Sequence, residues 1–180
     1  MRLFIGIEIP ADIRHTIHAQ AMRMQQISPG KYVRDDMYHI TLAYIGESDD
    51  AMRLLAAECM QSAAESCESP ILCPGKPGYF GKLEKSILHL DVINGRALQP
   101  ISDILRAALS SAGLPFDPKP LVPHITLARN VAINDALLSE IYEYPPFRAE
   151  CLTLFNSCRI NDILQYVPIT RIPFGGSYAT

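Results

Sequence analysis

The chain has 180 residues, 48% hydrophobic and 19% charged, with a net charge of -3. This is the composition of one globular domain, or of two small lobes sharing an interface, and it excludes disorder, collagen and coiled coil. The acidic balance argues against a broad basic surface for wrapping duplex nucleic acid, while leaving room for a pocket that reads one phosphate.

Leu3 to Ile9, rich in β-branched residues, reads as a strand. No apolar run nears the roughly 20 residues of a membrane helix. Glu8 and Asp12 interrupt the start before the core of a signal peptide builds up. The expectation is a cytoplasmic protein with no membrane part. Pro10 fits the first turn of a helix carried by Ile13, Ile17, Met24 and Ile27 and stopped by Pro29-Gly30. Tyr38 to Ile45 is a second strand, and Ser48-Asp49-Asp50 starts a second helix. Pro70 to Gly81, with its prolines and glycines, is a loop or an irregular strand. Ile87 to Val92 is a strand, and Leu98, Ile101, Leu105 and Leu109 mark a helix ending at Gly113. A proline-rich loop leads to the strand His124 to Ala128. A short helix at Asp135 to Tyr142 and two strands, near Cys151 to Ser157 and Leu164 to Ile172, finish the chain. The five cysteines lack metal-site spacing and read as reduced thiols in or near the core.

A repeat carries the main signal. His39-Ile40-Thr41-Leu42-Ala43 recurs as His124-Ile125-Thr126-Leu127-Ala128, 85 positions on. The same offset lays Leu3, Ile5 and Ile7 on Leu88, Leu90 and Val92, and Ile13 on Leu98. Two strand–helix–strand units follow, in halves of roughly 1–85 and 86–180 within a single domain spanning 1–180. Two copies are too few for a solenoid. They suggest a bilobal α+β fold with a pseudo-two-fold duplication, antiparallel sheets lining a central groove and helices packed outside.

Residues i and i+2 share a strand face, so His39 projects with Thr41 and His124 with Thr126, while Ile40, Leu42, Ile125 and Leu127 turn into the core. If the repeats face each other, two imidazoles meet in one cleft. There one serves as base while the other serves as acid, and threonine hydroxyls offer neutral donors to an oxyanion. Such a set suits a phosphodiester. A zinc site would need a carboxylate or thiolate where the motif has threonine.

Paired His-x-Thr motifs on duplicated strands resemble the two-histidine phosphoesterase superfamily, and within it are similar to the RNA 2',3'-cyclic phosphodiesterases, also called 2'-5' RNA ligases. The likeness extends to Met1 through Pro10, His39 through Gly46 and Pro123 through Arg129, and more loosely to Leu154 through Ser157, Tyr166 and Pro173. It implies a metal-independent hydrolase with no cofactor. Its substrate would be RNA ending in a 2',3'-cyclic phosphate, tRNA fragments among them. The product would be a 2'-phosphate, and some members join RNA ends through a 2'-5' bond. It implies His39 as proton donor to the leaving 3'-oxygen and His124 as proton acceptor from water. Thr41 and Thr126 would hold phosphoryl oxygens, Arg129 would lie near the phosphate, and Tyr44 would pack on the nucleotide.

Tyr44 and Arg129 both follow their histidine by five residues, so each strand must bulge or end near Ala43 and Ala128 for them to reach the groove. His89 stands where relatives have tryptophan and Asp91 where glycine is common; by the offset His89 overlays Phe4, at a core or rim position. Lys76, Lys82 and Lys85 surround Tyr79-Phe80, either as an RNA-holding loop or as a solvated one. His15 and His18 belong to a solvated helix face. Two other readings stay open: a phosphodiesterase for a small cyclic phosphate or a 2'-5' oligonucleotide, and a non-catalytic RNA-end binding module. The chain is expected to be a monomer.

Overall fold

A computed structural model describes residues 1–175. Strand β1 (Arg2–Glu8) leads to Pro10, whose carbonyl accepts the Arg14 N–H at 2.9 Å and opens α1 (Ala11–Ile27). Proline stands just before this helix rather than inside its first turn. The short β2 (Lys31–Tyr32) and a single 3-10 turn at Asp35–Met37 precede β3 (His39–Glu47). Helix α2 (Asp50–Glu65) starts where the Asp49 carboxylate accepts the Met52 N–H at 2.8 Å, satisfying one of the free donors of its first turn.

The proline- and glycine-rich middle forms β4 (Ile71–Leu72) and an irregular β5 (Pro74–Lys82), whose register on β6 (Lys85–Val92) slips between Pro74 and Pro77. β5 ends the sheet, the one place where a strand tolerates missing N–H donors. Helix α3 (Gln99–Ser111) closes at Gly113, φ +69°, with the Leu114 N–H on the Leu109 carbonyl at 2.9 Å. After β7 (His124–Val131) comes α4 (Asp135–Leu138), half as long as expected. Ile141 and Tyr142, which would have extended it, are exposed, so no packing supports another turn. Beyond the short β8 (Phe147–Arg148), strands β9 (Cys151–Ile160) and β10 (Ile163–Pro173) form a hairpin. Its turn residues Asn161 and Asp162 both have positive φ, matching the right-handed twist of the strands.

The main sheet runs β10-β9-β1-β3-β7-β6-β5, with β2 added on β7; β4 and β8 form a second, two-stranded sheet. All pairings are antiparallel. The fold is α+β, two antiparallel sheets with flanking helices. The helices share one buried core with the strands: Ile17, Met60 and Leu105 lie in the same cluster as Leu3, Ile5, Ile7, Ile40 and Ile125. Among the described residues no helix is long and apolar enough to cross a membrane.

At the centre, β3 and β7 pair through Ile40 and Ile125 alone, so the strands part and a groove opens between them. On either side the ladders carry matching bulges. Thr41 faces Gly6 and Ala43 faces Ile5, leaving Leu42 extra; Thr126 faces His89 and Ala128 faces Leu88, leaving Leu127 extra. Ile45 and Asn130 are extra in the same way.

The offset of 85 therefore relates β3 to β7. It does not relate β1 to β6. There Gly6 corresponds to His89 and Glu8 to Asp91, a step of 83. The expected overlay of Leu3, Ile5 and Ile7 on Leu88, Leu90 and Val92 is two residues out; the counterparts are Ser86, Leu88 and Leu90. His89 matches Gly6, not Phe4. The step from Asp91 to His124 is two residues longer than the equivalent step from Glu8 to His39, and a slip of two preserves the faces of a strand, so the apolar alternation matched in the wrong register.

Candidate active site

The groove holds a cavity of about 190 Å³ lined by His39, Thr41 and Tyr44 from β3 and by His124, Thr126 and Arg129 from β7. All six residues singled out in the sequence thus lie together. The bulges at Leu42 and Leu127 explain the last residue of each set. One extra residue restores the parity of a five-residue step, so Tyr44 and Arg129 return to the histidine face. Ile40, Leu42, Ile125 and Leu127 are fully or almost fully buried on the other face.

Both imidazoles are held the same way. His39 Nδ1–H donates to the Met37 carbonyl at 2.7 Å, and His124 Nδ1–H donates to the Val122 carbonyl at 2.7 Å. In each case the acceptor is two residues upstream, and in each case this fixes the tautomer that leaves Nε2 as the atom free for proton traffic. In the resting site the Thr41 hydroxyl donates to His39 Nε2 at 3.0 Å.

The two surroundings differ. His39 lies edge-on to Tyr166 (ring centroids 5.1 Å apart) and against Phe4 at 4.8 Å. Burial pushes its proton affinity down to about 4, with smaller contributions from the nearby His124 and Arg129 and an opposing one from the Met37 carbonyl. In the free protein His39 is therefore neutral at pH 7. His124 meets the edge of Phe80 at 4.9 Å and the His89 ring at 5.5 Å. His89 itself is buried outside the cavity, stacked on Phe80 at 4.1 Å. Burial lowers its proton affinity, as does His124, while Asp91 and, less, the Ile87 carbonyl raise it.

Phe4, Val33, Met37, Ser157 and Tyr166 complete the cavity. Phe4, with Gly6 and Glu8, occupies the positions of β1 that alternate with the core residues Leu3, Ile5 and Ile7, a pattern available in the sequence. Tyr166 reaches the groove through the β9–β10 ladder, opposite Ser157, a pairing no local pattern announces. The Tyr79-Phe80 segment is strand, not loop; Phe80 turns inward to His124 and Tyr79 outward to solvent. His15 lies near Asp35, and His18 near the Tyr38 hydroxyl. Among the described residues no group of three or more His, Cys, Asp or Glu is placed to hold a metal ion.

The sequence profile of the 2'-5' RNA ligase superfamily matches residues 10–155. The RNA 2',3'-cyclic phosphodiesterase of Bacillus subtilis (strain 168) is 29% identical over 139 residues, 77% of this chain and 76% of that one. Its namesake in Escherichia coli (strain K12) is 28% identical over 182 residues, 94% of each chain. Among solved structures, apo E. coli LigT shares the fold with a TM-score of 0.74 at 24% identity, over 97% of this chain and 98% of that one. TT0787 of Thermus thermophilus does so with a TM-score of 0.78 at 20% identity, over 99% and 100%.

Proposed function

This chain belongs to the 2'-5' RNA ligase superfamily, within the two-histidine phosphoesterases, and from that premise we propose that it hydrolyses RNA 2',3'-cyclic phosphate ends to 2'-phosphates without a metal. The observation that carries the proposal is the pair of Nδ1-anchored imidazoles, each with a threonine beside it, lining one cavity with Arg129. His124 Nε2 takes a proton from water as its oxygen attacks phosphorus. The P–O3' bond breaks, and the 3'-oxygen takes a proton from His39 Nε2. Thr41 and Thr126 donate to the phosphoryl oxygens, Arg129 offsets their charge, and Tyr44, 43% exposed at the cavity wall, covers the nucleoside. With an RNA 5'-hydroxyl in place of water as the nucleophile, the same forward step, in which the P–O3' bond breaks and O3' takes the proton from His39, joins RNA ends through a 2'-5' bond.

The matching bulges on the two sides support a duplication within a single domain, bilobal about the groove, with sequence halves near 1–85 and 86–180. In sheet order the halves interleave, β9 and β10 beside β1 and β2 on β7. We take the protein to act as a cytoplasmic monomer.

The test is turnover of a short RNA ending in a 2',3'-cyclic phosphate, with EDTA present and the product assigned by ³¹P NMR. The expected result is a 2'-phosphate, with loss of at least about a hundredfold in kcat/KM in His39→Ala and in His124→Ala. Binding of this RNA without turnover by folded protein would leave the binding-module reading. Activity lost in EDTA and restored by zinc would reject the metal-free mechanism.

A further inference from the structure

The two sides of the groove share one ladder register, and directly opposite the motif threonines they differ. Opposite Thr41 stands Gly6; opposite Thr126 stands His89. Opposite His39 stands Glu8; opposite His124 stands Asp91. Residues directly across an antiparallel ladder share a face and lie close, so each catalytic imidazole has a carboxylate as neighbour.

Each of those carboxylates is engaged elsewhere. Glu8 is gripped by Arg171 (2.6 and 3.0 Å) and accepts from the Thr153 hydroxyl at 2.7 Å. Asp91 accepts from His89 Nε2–H at 3.1 Å. His89 is 4% exposed, and its Nδ1 is buried with no hydrogen bond of good geometry, the Ile87 carbonyl being the acceptor on its side. A buried orphan nitrogen is costly and needs a reason. Packing alone does not supply one, since a phenyl ring would fill the stack on Phe80 without any orphan. The backbone makes room for the imidazole: a Cβ on Gly78 would come within 2.8 Å of His89 Nε2.

We propose that His89 is a positioning residue for His124: it occupies the Asp91 carboxylate, keeps that carboxylate from pairing with the imidazole across the ladder, and holds the His124 ring in the groove. A carboxylate free to reach His124 would favour the imidazolium and draw the ring away from substrate. This role rests on His124 being a proton-transfer group, as proposed above. The other charged or titratable groups around it are His39 and Arg129 in the cavity, Arg106, Asp117 and Lys119 beside the adjoining apolar recess, and Lys76 near Asp91.

The test follows the His124 ring itself, with no substrate, by ¹H–¹³C NMR titration of histidine-labelled protein. His89→Phe keeps the aromatic stack and frees Asp91, and is expected to raise the His124 midpoint by about half a unit or more. Asp91→Asn removes the anion without changing any ring, and is expected to lower it. His89→Gln retains a donor for Asp91 and is expected to hold the midpoint within about 0.2 unit of wild type. Opposite shifts from the two halves of one pair are not produced by a packing defect. Unmoved midpoints, or shifts of the same sign, overturn the proposal. If His89→Phe does not fold, Asp91→Asn decides alone: an unchanged midpoint overturns it. Because this readout needs no turnover, the assignment of His89 and the identity of the reaction fail separately. In an active enzyme the matching signature is movement of the pH–rate limb in His89→Phe and its return in His89→Gln.

Discussion

The proton on His39 should be tied to phosphate binding. In the free protein burial holds this imidazole near 4, so fewer than about one molecule in a hundred carries the donor proton at pH 7. A phosphodiester anion in the cavity places a negative charge on the order of 4 Å from the ring. At an effective dielectric of about 20 that is worth about 4 kcal/mol, or roughly three pH units. His39 in the complex should then titrate near about 7, where it can donate. The same anion offsets Arg129, whose charge helps depress His39 in the free state. The assay is NMR titration of the His39 ring with and without saturating inorganic phosphate or a nucleoside 2'-monophosphate. Near pH 5.5 the liganded protein should take up close to one proton per site, measurable by calorimetry in buffers of different ionisation enthalpy. If the groove is saturated and His39 still titrates below about 5, the donor role belongs to His124 and the assignment must be reversed.

The depressed His39 also makes the unliganded protein sensitive to acid. Its folded value lies below the unfolded one of about 6.5, so the unfolded chain binds the proton first. Stability is full above about 6.5 and falls as pH drops towards about 4, by at most about 3 kcal/mol; urea melts of wild type and His39→Gln should diverge in slope across that window and nowhere else. Gly6→Ala should lower stability by about 2 kcal/mol, since the new Cβ would lie 2.5 Å from the Ile40 carbonyl oxygen beside Thr41. An unchanged thermal midpoint would show that the central ladder yields there. Arg129→Ala should lower kcat/KM for cyclic-phosphate RNA by about ten- to a hundredfold, and Arg129→Lys by less. An effect below about threefold would place the phosphate away from Arg129.

The central strands were legible because their chemistry is local. A His-x-Thr pair written twice fixes which residues share a face, and burial of Ile40 and Ile125 follows from the same alternation. The need for a bulge was legible too, since Tyr44 and Arg129 have the wrong parity for an ideal strand. What the sequence concealed was register. Leu3, Ile5 and Ile7 match Leu88, Leu90 and Val92 as well as they match Ser86, Leu88 and Leu90 in face, and no local rule separates pairings that differ by two. The choice is made by backbone bonds to a strand distant in sequence and by the two extra residues before β7. Tyr166 was concealed for the same reason, because it reaches His39 only through the β9–β10 ladder and the pairing of β9 with β1.

The register of β6 on β7 bears on mechanism. With His89 laid on Phe4, the His124 side looks like a copy of the His39 side with one aromatic exchanged for another, and the two histidines remain interchangeable. With His89 laid on Gly6, the copies diverge at the position that faces the motif threonine. Phe4 and Tyr166 enclose His39 in aromatic surface, while His124 lies beside a second imidazole and the carboxylate that imidazole holds. Two equal imidazoles in one groove would share a proton without direction. In the proposed mechanism a half-buried imidazole that is neutral until an anion arrives, facing one beside a carboxylate held out of its reach, gives the proton a defined starting place in the free protein and another in the complex. In the proposed mechanism the acid and base roles are thus set by neighbours on the strands outside the central pair, where the repeat is least exact.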